Sequence, residues 1–287
     1  MGRLHIVSTP IGNLEDVTLR ALRVLREADL VFAEDTRRTR ILLDRHGIAT
    51  RPRSLHAHNE TSRTREALAA LAAGGNVALV SDAGTPLVSD PGAKLVAQAI
   101  AAGDTVVSVP GPSAVLAALA VSGLSADAFT YLGFLPRRAS LRRTRLERFR
   151  DAPETLVLFE SPRRLLPTLR ELQHALGDRA ACVARELTKL HEEAVRGRLS
   201  ELAQRFRAEA RGEVTIVVEG ADPKQSRTRD NCSDSATANL DQRILALLEE
   251  GRSPREISAR LARQFGVRRR EVYARVVRAA AAERSDP

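Results

Sequence analysis

Acids, hydroxyls and turn-forming residues crowd into Ser81-Asp82-Ala83-Gly84-Thr85-Pro86-Leu87-Val88-Ser89-Asp90-Pro91-Gly92. Two Gly and two Pro fix the backbone path of such a segment, while Asp82, Thr85 and Asp90 offer polar groups along it. Three further segments have the same character: Thr9-Pro10-Ile11-Gly12-Asn13, Glu34-Asp35-Thr36-Arg37-Arg38-Thr39-Arg40, and Pro110-Gly111-Pro112-Ser113. Each could be a strand-to-helix turn and nothing more, since Gly, Pro, Asp and Ser are the usual turn residues, and acids at a helix start are also what capping favours. Four such segments, each following an apolar run, are hard to assign to turns alone. Open α/β sheets bind ligands at the carboxyl ends of their strands, so a shared ligand site is the sharper reading.

Several chemistries are disfavoured by what these segments lack. The three-glycine dinucleotide fingerprint is absent, as is the Gly-Lys-Ser/Thr phosphate loop, so ordinary nicotinamide or nucleoside-triphosphate chemistry does not fit. His56-Ala57-His58 has no evident third ligand, which disfavours zinc. Cys182 and Cys232 lie far apart, with no partner at metal-ligand spacing, and read as reduced thiols.

The elements that must position these segments follow from periodicity. Leu4 to Ser8, Leu30 to Ala33, Val77 to Val80 and Thr105 to Val109 read as strands. Between them, Val17 to Ala28 and Ala93 to Ile100 carry helical spacing, and a helix opens after His56-Ala57-His58-Asn59-Glu60. The small apolar stretch Ala114 to Leu124 suits a helix packed closely on a sheet. A second sheet starts at Phe129 to Leu135 and continues through Thr155 to Phe159, Ala181 to Ala184 and Val214 to Val218. Its strand ends carry Glu160-Ser161-Pro162-Arg163-Arg164 and Arg185-Glu186-Leu187-Thr188-Lys189. The expected division is therefore 1–124 and 125–220 as two α/β domains, 221–239 as a polar linker, and 240–287 as a helical module. In that module Ile244, Leu247 and Leu248, then Ile257 and Leu261, then Val272, Val276 and Val277 suggest three short helices. Ser253-Pro254-Arg255-Glu256 is a capping signature and Phe265-Gly266-Val267 a turn, which together give a helix-turn-helix-like arrangement.

Charge points to a polyanionic partner. The 287 residues carry 45 Lys and Arg against 36 Asp and Glu, a net charge of +9, and only Lys94, Lys189 and Lys224 are lysine. Between positions 137 and 150, Arg137, Arg138, Arg142, Arg143, Arg145, Arg148 and Arg150 face the single acid Glu147. A solvated helix face could carry that charge; in a chain this basic it also suits phosphate binding, as does Arg268-Arg269-Arg270. An aromatic content of 3% disfavours extensive base stacking. No apolar stretch approaches a bilayer-spanning length, and the chain opens directly on strand-like residues, so the expectation is a cytoplasmic protein with no membrane partner.

Thr9-Pro10-Ile11-Gly12-Asn13-Leu14-Glu15-Asp16, Glu34-Asp35-Thr36-Arg37, Asp82-Ala83-Gly84-Thr85-Pro86 through Asp90-Pro91-Gly92, and Pro110-Gly111-Pro112-Ser113 together resemble the small-subunit ribosomal RNA methyltransferase I family, a branch of the tetrapyrrole-methylase superfamily. The resemblance covers essentially the whole chain, with Ala57 where the family usually has an acid and Arg163 where it often has His. It implies a class III methyltransferase fold: two α/β domains with the cofactor cleft between them, plus the C-terminal helical module. It implies S-adenosylmethionine (S-adenosyl-L-methionine, SAM) as cofactor, held by Thr9, Pro10, Gly12, Asp82, Ala83, Gly84, Thr85, Pro86, Pro110, Gly111, Pro112, Ser113, Glu160, Ser161, Glu186, Leu187 and Thr188. The implied reaction is 2′-O-methylation of a cytidine in the decoding region of 16S rRNA, in the small ribosomal subunit, by a homodimer. Glu34 or Asp35 is then the candidate base, with Arg37 and Lys189 holding phosphate. Arg137, Arg138, Arg142, Arg143, Arg145, Arg268, Arg269 and Arg270 are the candidate RNA contacts. A tetrapyrrole or other small-molecule methyltransferase of the same fold, and a non-catalytic nucleic-acid-binding module, are the competing readings. The first has no need of the Arg137-to-Arg150 segment; the second has no need of the elaborated loops.

Overall fold

The computed structural model describes residues 2–207, 211–222, 240–248, 250–265 and 268–283, with residues 280–283 described by backbone alone. The chain divides into two compact units, Met1–Ala221 and Asp222–Pro287. Most of the expected linker, 223–239, lies outside the described residues, as do Gly266 and Val267 of the expected turn.

The first sheet of the larger unit is built from β1 (Arg3–Val7), β2 (Leu30–Ala33), β3 (Pro52–Ser54), β4 (Asn76–Val80) and β5 (Thr105–Val109). They run in the order β3-β2-β4-β1-β5, and every pairing is parallel. Val77, Ala78, Leu79 and Val80 are all buried, as expected of a strand covered on both faces. Helices α1 (Leu19–Glu27) and α2 (Thr36–Arg45) contribute Leu25, Leu42 and Leu43 to one core cluster. Helices α3 (Glu60–Ala72) and α4 (Ala93–Ala101) contribute Leu71, Leu95 and Ala99 to another. Each of these leucines is at or near full burial, worth about 2 kcal/mol of transfer free energy apiece. Because all strands are parallel, all their carboxyl ends lie along one edge, and the motif-bearing loops must emerge there.

The second sheet is mixed: β6 (Phe129–Phe134), β7 (Thr155–Glu160), β8 (Ala180–Arg185), β9 (Glu193–Arg198) and β10 (Val214–Val218), in the order β6-β7-β10-β8-β9. Only β6 and β7 pair in parallel; β10 is antiparallel to both its neighbours, and β8 and β9 form an antiparallel hairpin. Leu146 of α6 (Ala139–Glu147), Leu165, Leu169 and Leu172 of α7 (Leu165–Leu176) and Leu202 of α8 (Leu199–Arg205) share one core on it.

Helix α5 (Ala114–Ser122) packs differently from the helices before it. It is apolar all round, and Val115, Ala118 and Leu119 join Val157, Cys182, Ala184 and Val217 of the second sheet in one buried cluster. Ile11 and Leu187, from strand-end loops of the two sheets, belong to the same cluster. The core therefore runs continuously across position 124, where the sequence pattern suggested a boundary.

In the smaller unit, α9 (residues 240–248), α10 (Pro254–Phe265) and α11 (Arg269–Glu283) enclose Leu240, Ile244, Leu247, Ile257, Leu261, Val272 and Val276. The capping signature forms: Ser253 Oγ accepts from Glu256 N, and Glu256 Oε2 accepts from Ser253 N at 3.2 Å. Among the described residues no helix is long and apolar enough to cross a membrane.

Candidate active site

Beyond β1 and β4, the loops close on each other through the backbone. Thr9 and Gly84 form an antiparallel bridge, with Thr9 N donating to Gly84 O at 2.9 Å and Gly84 N to Thr9 O at 3.0 Å. Thr9 Oγ1 donates to Ser81 O at 3.2 Å, and the hydroxyls of Ser8 and Thr85 lie 3.0 Å apart. Gly84 sits at φ +75°, where a side chain is costly whatever the space around it. Gly111 passes so close to β1 that a Cβ would lie 3.0 Å from Ser8 Cβ, bringing the Pro110-Gly111-Pro112-Ser113 loop against the same two. Ser113 then caps α5.

Later in the Asp82 loop, Leu87 and Ser89 adopt φ of +76° and +70° although neither is glycine. Strain of this kind, on the order of 1 to 3 kcal/mol per residue, persists where the surroundings enforce it. Ser89 Oγ lies 2.8 Å from the Tyr131 hydroxyl of β6, and Gly92 N donates to Glu60 Oε1 at 3.2 Å. The loop is thus fastened to the second sheet and to α3.

Acids gather beside it. Asp35 N donates to Asp82 Oδ1 at 2.7 Å, joining the loops of β2 and β4. Burial, then the charge of Asp82, pushes Glu34 above the ordinary carboxylate range, while His56 and Arg38 pull the other way. Asp90 is raised to about 6 by burial and by the charges of Glu34 and Asp82, against a lowering hydrogen bond from Ser81. The sequence suggests that Asp90-Pro91-Gly92 mainly sets the start of α4, with Asp90 a polar group along the loop; its nearness to Glu34 depends on how the β2 and β4 loops fold together.

Asp35 has another occupation. Its carboxylate caps α2 and takes a two-point contact from Arg37, Nε to Oδ1 at 3.1 Å and Nη2 to Oδ2 at 2.8 Å, which holds its pKa down at about 2. An acid so stabilised in its charged form is a poor base. Of the two acids weighed from the sequence, Glu34 keeps the suitable properties.

The second sheet brings Glu186 to Lys189 to the same region. Asn13 N donates to Thr188 Oγ1 at 3.0 Å, and a Cβ on Gly12 would collide with Lys189 Cγ, Thr188 Oγ1 and Leu187 O. Glu186 and Thr188 hold φ of +49° and +67°. Lys189 Nζ is ion-paired with Glu186 Oε1 at 2.7 Å and Glu213 Oε2 at 3.1 Å. Expected to hold phosphate, this ammonium instead faces two carboxylates that already outweigh its charge. Glu160 is likewise engaged: its wholly buried carboxylate accepts from Ser161 N at 2.8 Å and Thr168 Oγ1 at 2.7 Å, and pairs with Arg164 at 3.3 Å.

Of the arginines expected to meet RNA, Arg137, Arg138 and Arg143 are exposed and Arg145 is half-buried, with Nη2 donating to Leu132 O at 2.6 Å. Arg142 departs from the expectation. It is buried, pairs with Glu171 and donates to Pro136 O at 3.1 Å and Arg137 O at 3.2 Å, so it fastens α6 to α7. A run of arginines does not reveal which member faces inward; Leu146, one helical turn on and buried, marks the inward face. Arg268, Arg269 and Arg270 are exposed at the start of α11 in the smaller unit.

The family described as Tetrapyrrole (Corrin/Porphyrin) Methylases matches residues 3–203. A "Ribosomal RNA small subunit methyltransferase I" of Mesorhizobium japonicum is 46% identical over 277 residues, 96% of this chain and 91% of the relative. One of Thermotoga maritima is 48% identical over 221 residues, 77% of this chain and 99% of the relative. Among solved structures, the uroporphyrin-III C-methyltransferase of Thermus thermophilus, described as complexed with S-adenosyl homocysteine, superposes with a TM-score of 0.54 at 24% identity over 75% of this chain and 97% of its own, a likeness of fold. With a relative at this identity over nearly the whole chain and the family match covering residues 3–203, the chain belongs to the ribosomal RNA small subunit methyltransferase I family of the tetrapyrrole methylases.

Proposed function

We propose that this chain transfers a methyl group from S-adenosylmethionine to the ribose 2′-hydroxyl of a cytidine in the decoding region of 16S rRNA. The observation that carries the reading is the set of interlocked strand-end loops, fastened to one another at Thr9 and Gly84, in a chain of this family. The residues fit the cofactor. Gly84 and Gly111 keep side chains out where backbones pack closely, and the acids Glu34, Asp82 and Asp90 suit a ligand that carries positive charge. The loops at Thr9 to Gly12, Asp82 to Pro86, Pro110 to Ser113 and Glu186 to Thr188 would hold it. S-adenosylmethionine supplies a methyl carbon already activated by its sulfonium.

The work left to the protein is alignment, exclusion of water and removal of one proton. Glu34, raised by burial and by Asp82, accepts the proton leaving the 2′-hydroxyl, while Asp35 anchors α2 and the Asp82 loop. The exposed Arg137, Arg138 and Arg143, together with Arg268 to Arg270, contribute phosphate contacts. That a relative is matched over 99% of its length by 221 residues supports a catalytic part that needs no more chain than this. A cytoplasmic homodimer acting on the small ribosomal subunit completes the reading.

Single-turnover methylation of 30S subunits with saturating radiolabelled cofactor tests it. Glu34→Gln should slow the reaction about 100-fold, within the range for a lost acid–base group, and Asp35→Asn much less. Free rRNA and a tetrapyrrole serve as alternative acceptors, and preferred labelling of the tetrapyrrole would overturn the assigned substrate.

A further inference from the structure

At the outer edge of the first sheet lies a second concavity, distinct from the strand-end loops. Helix α1 covers the middle strands and leaves a cavity of about 290 Å³ beside the edge strand β5. Its floor is valine; its walls are Arg3 and His5 of β1, Asn76 of β4, and Arg20, Arg23 and Glu27 of α1. Three guanidiniums therefore oppose one carboxylate. The single ion pair among them, Arg23 to Glu27 at 3.6 Å, has both side chains more than half exposed and is strongly screened. Among the described residues Arg3 and Arg20 have no carboxylate partner. Arg20 Nη2 donates to Ser108 O at 3.2 Å, which steadies the guanidinium while leaving other N–H groups free.

His5 lies among these arginines. Its Nδ1 is buried out of solvent contact and has no hydrogen-bond partner, so the ring serves the site as a neighbour of the arginines rather than as a contact to the ligand. Burial, with Arg3 and Arg23 in the same direction, lowers its pKa against a hydrogen bond donated to Asn76 and the charge of Glu27. The imidazole is thus biased toward its neutral form and adds little positive charge of its own beside three guanidiniums, of which Arg20 is held by Ser108. A ligand matching that set carries at least one negative charge and several acceptor oxygens around one centre, which describes phosphate better than a two-oxygen carboxylate.

We propose that the cavity walled by Arg3, His5, Arg20 and Arg23 is a phosphate-binding site. It has room for a phosphate with an organic group attached, so the phosphate belongs either to a free ester or to an RNA backbone. The second source has a geometric basis: Val109, which lines the cavity, directly precedes Pro110, so the cavity reaches the edge of the sheet where the cofactor loops leave. The RNA source rests on the methylation reading above; the phosphate site itself does not.

The test uses the full chain labelled with 15N-histidine, at fixed pH and ionic strength. Inorganic phosphate should move the His5 ring resonances saturably, and the double variant Arg20→Gln/Arg23→Gln, altered only at exposed positions, should weaken that response about tenfold or more, as expected for lost charge-assisted bonds. The same variant is then titrated with 16S rRNA across a salt series. A shallower salt dependence assigns the site to the RNA backbone; an unchanged one assigns it to a free phosphate ester. A His5 resonance that does not respond saturably to phosphate, or a double variant that responds like the parent chain, overturns the proposal whatever the enzyme does in methylation.

Discussion

At the ends of β2 and β4, Glu34, Asp82 and Asp90 lie near one another with no ion-pair partner among the described residues, and two of the three are pushed toward their neutral forms. At the end of β8, by contrast, Glu186 and Glu213 share the ammonium of Lys189, and at the end of β7 Glu160 is held by Ser161, Thr168 and Arg164. Both regions are rich in charge and both neighbour the proposed cofactor cleft. The difference lies in whether the folded chain satisfies those charges itself. Groups satisfied internally act as fasteners, whereas groups left raised and unpaired cost stability and are available to a ligand.

The comparison can be broken most severely at Arg142. If charges on the second-sheet side are fasteners, Arg142→Ala should destabilise the protein by about 2 kcal/mol, because two backbone carbonyls lose a donor and Glu171, about a third exposed and so partly screened, loses its partner. Arg143→Ala, one residue on and exposed, should change stability by less than about 0.5 kcal/mol yet flatten the salt dependence of RNA binding. Urea denaturation and a salt series measure the two effects. An Arg142 variant with parent-like stability would remove the distinction between inward and outward arginines.

A smaller effect sharpens the other half. Asp90 has its folded-state pKa raised to about 6, so between the unfolded carboxylate value and pH 6 the folded state binds more protons than the unfolded one. The sign follows: stability falls as pH rises through that window. Because Asp90 is only half-buried, solvent screening limits the effect to about 1 kcal/mol. Asp90→Asn should therefore raise the melting temperature at pH 7 and flatten the decline between pH 4 and pH 6, as scanning calorimetry would read. A decline that persists undiminished in the variant places its origin in other groups.

How much of this was legible in the sequence depended on where each element sits in its sheet. The central strands β4, β2 and β10 were legible as continuous apolar runs, because both faces are covered. The two strands with no legible pattern, β3 and β9, are both edges: Pro52-Arg53-Ser54 opens on a residue that cannot donate to a ladder, and Glu193-Ala194-Val195-Arg196-Gly197-Arg198 is charged as edges tend to be. The apolar character of α5 was plain, but which sheet it covers was not. Composition says how much surface is buried, and only the tertiary arrangement says against what. The site segments were recognisable from their turn chemistry. The pairings within them were not, because Asp35 with Arg37, Lys189 with Glu186 and Glu213, and Glu34 with Asp90 are decided by loops meeting in space.

Lys189 gives the finest test of that distinction, since residue type alone suggested a phosphate contact. Its hydrogen bond, together with the Glu213 backbone amide, holds Glu186 below the ordinary carboxylate range, so the stability it provides is present above the unfolded pKa of Glu186 and is lost as pH falls through the folded value. Lys189→Gln should then cost no more than about 0.5 to 1 kcal/mol at pH 7, given that Lys189 and Glu186 are each about a quarter exposed and Glu213 more than half. The loss should vanish in acid, where Glu186 is protonated in both the folded and the unfolded chain. A satisfied ammonium releases few counterions when RNA binds, so the salt slope of binding should stay where it was. A slope reduced by about one contact would mean that Lys189 leaves its carboxylates for a phosphate when substrate arrives, and that the charges of the second sheet are as available to the ligand as those of the first.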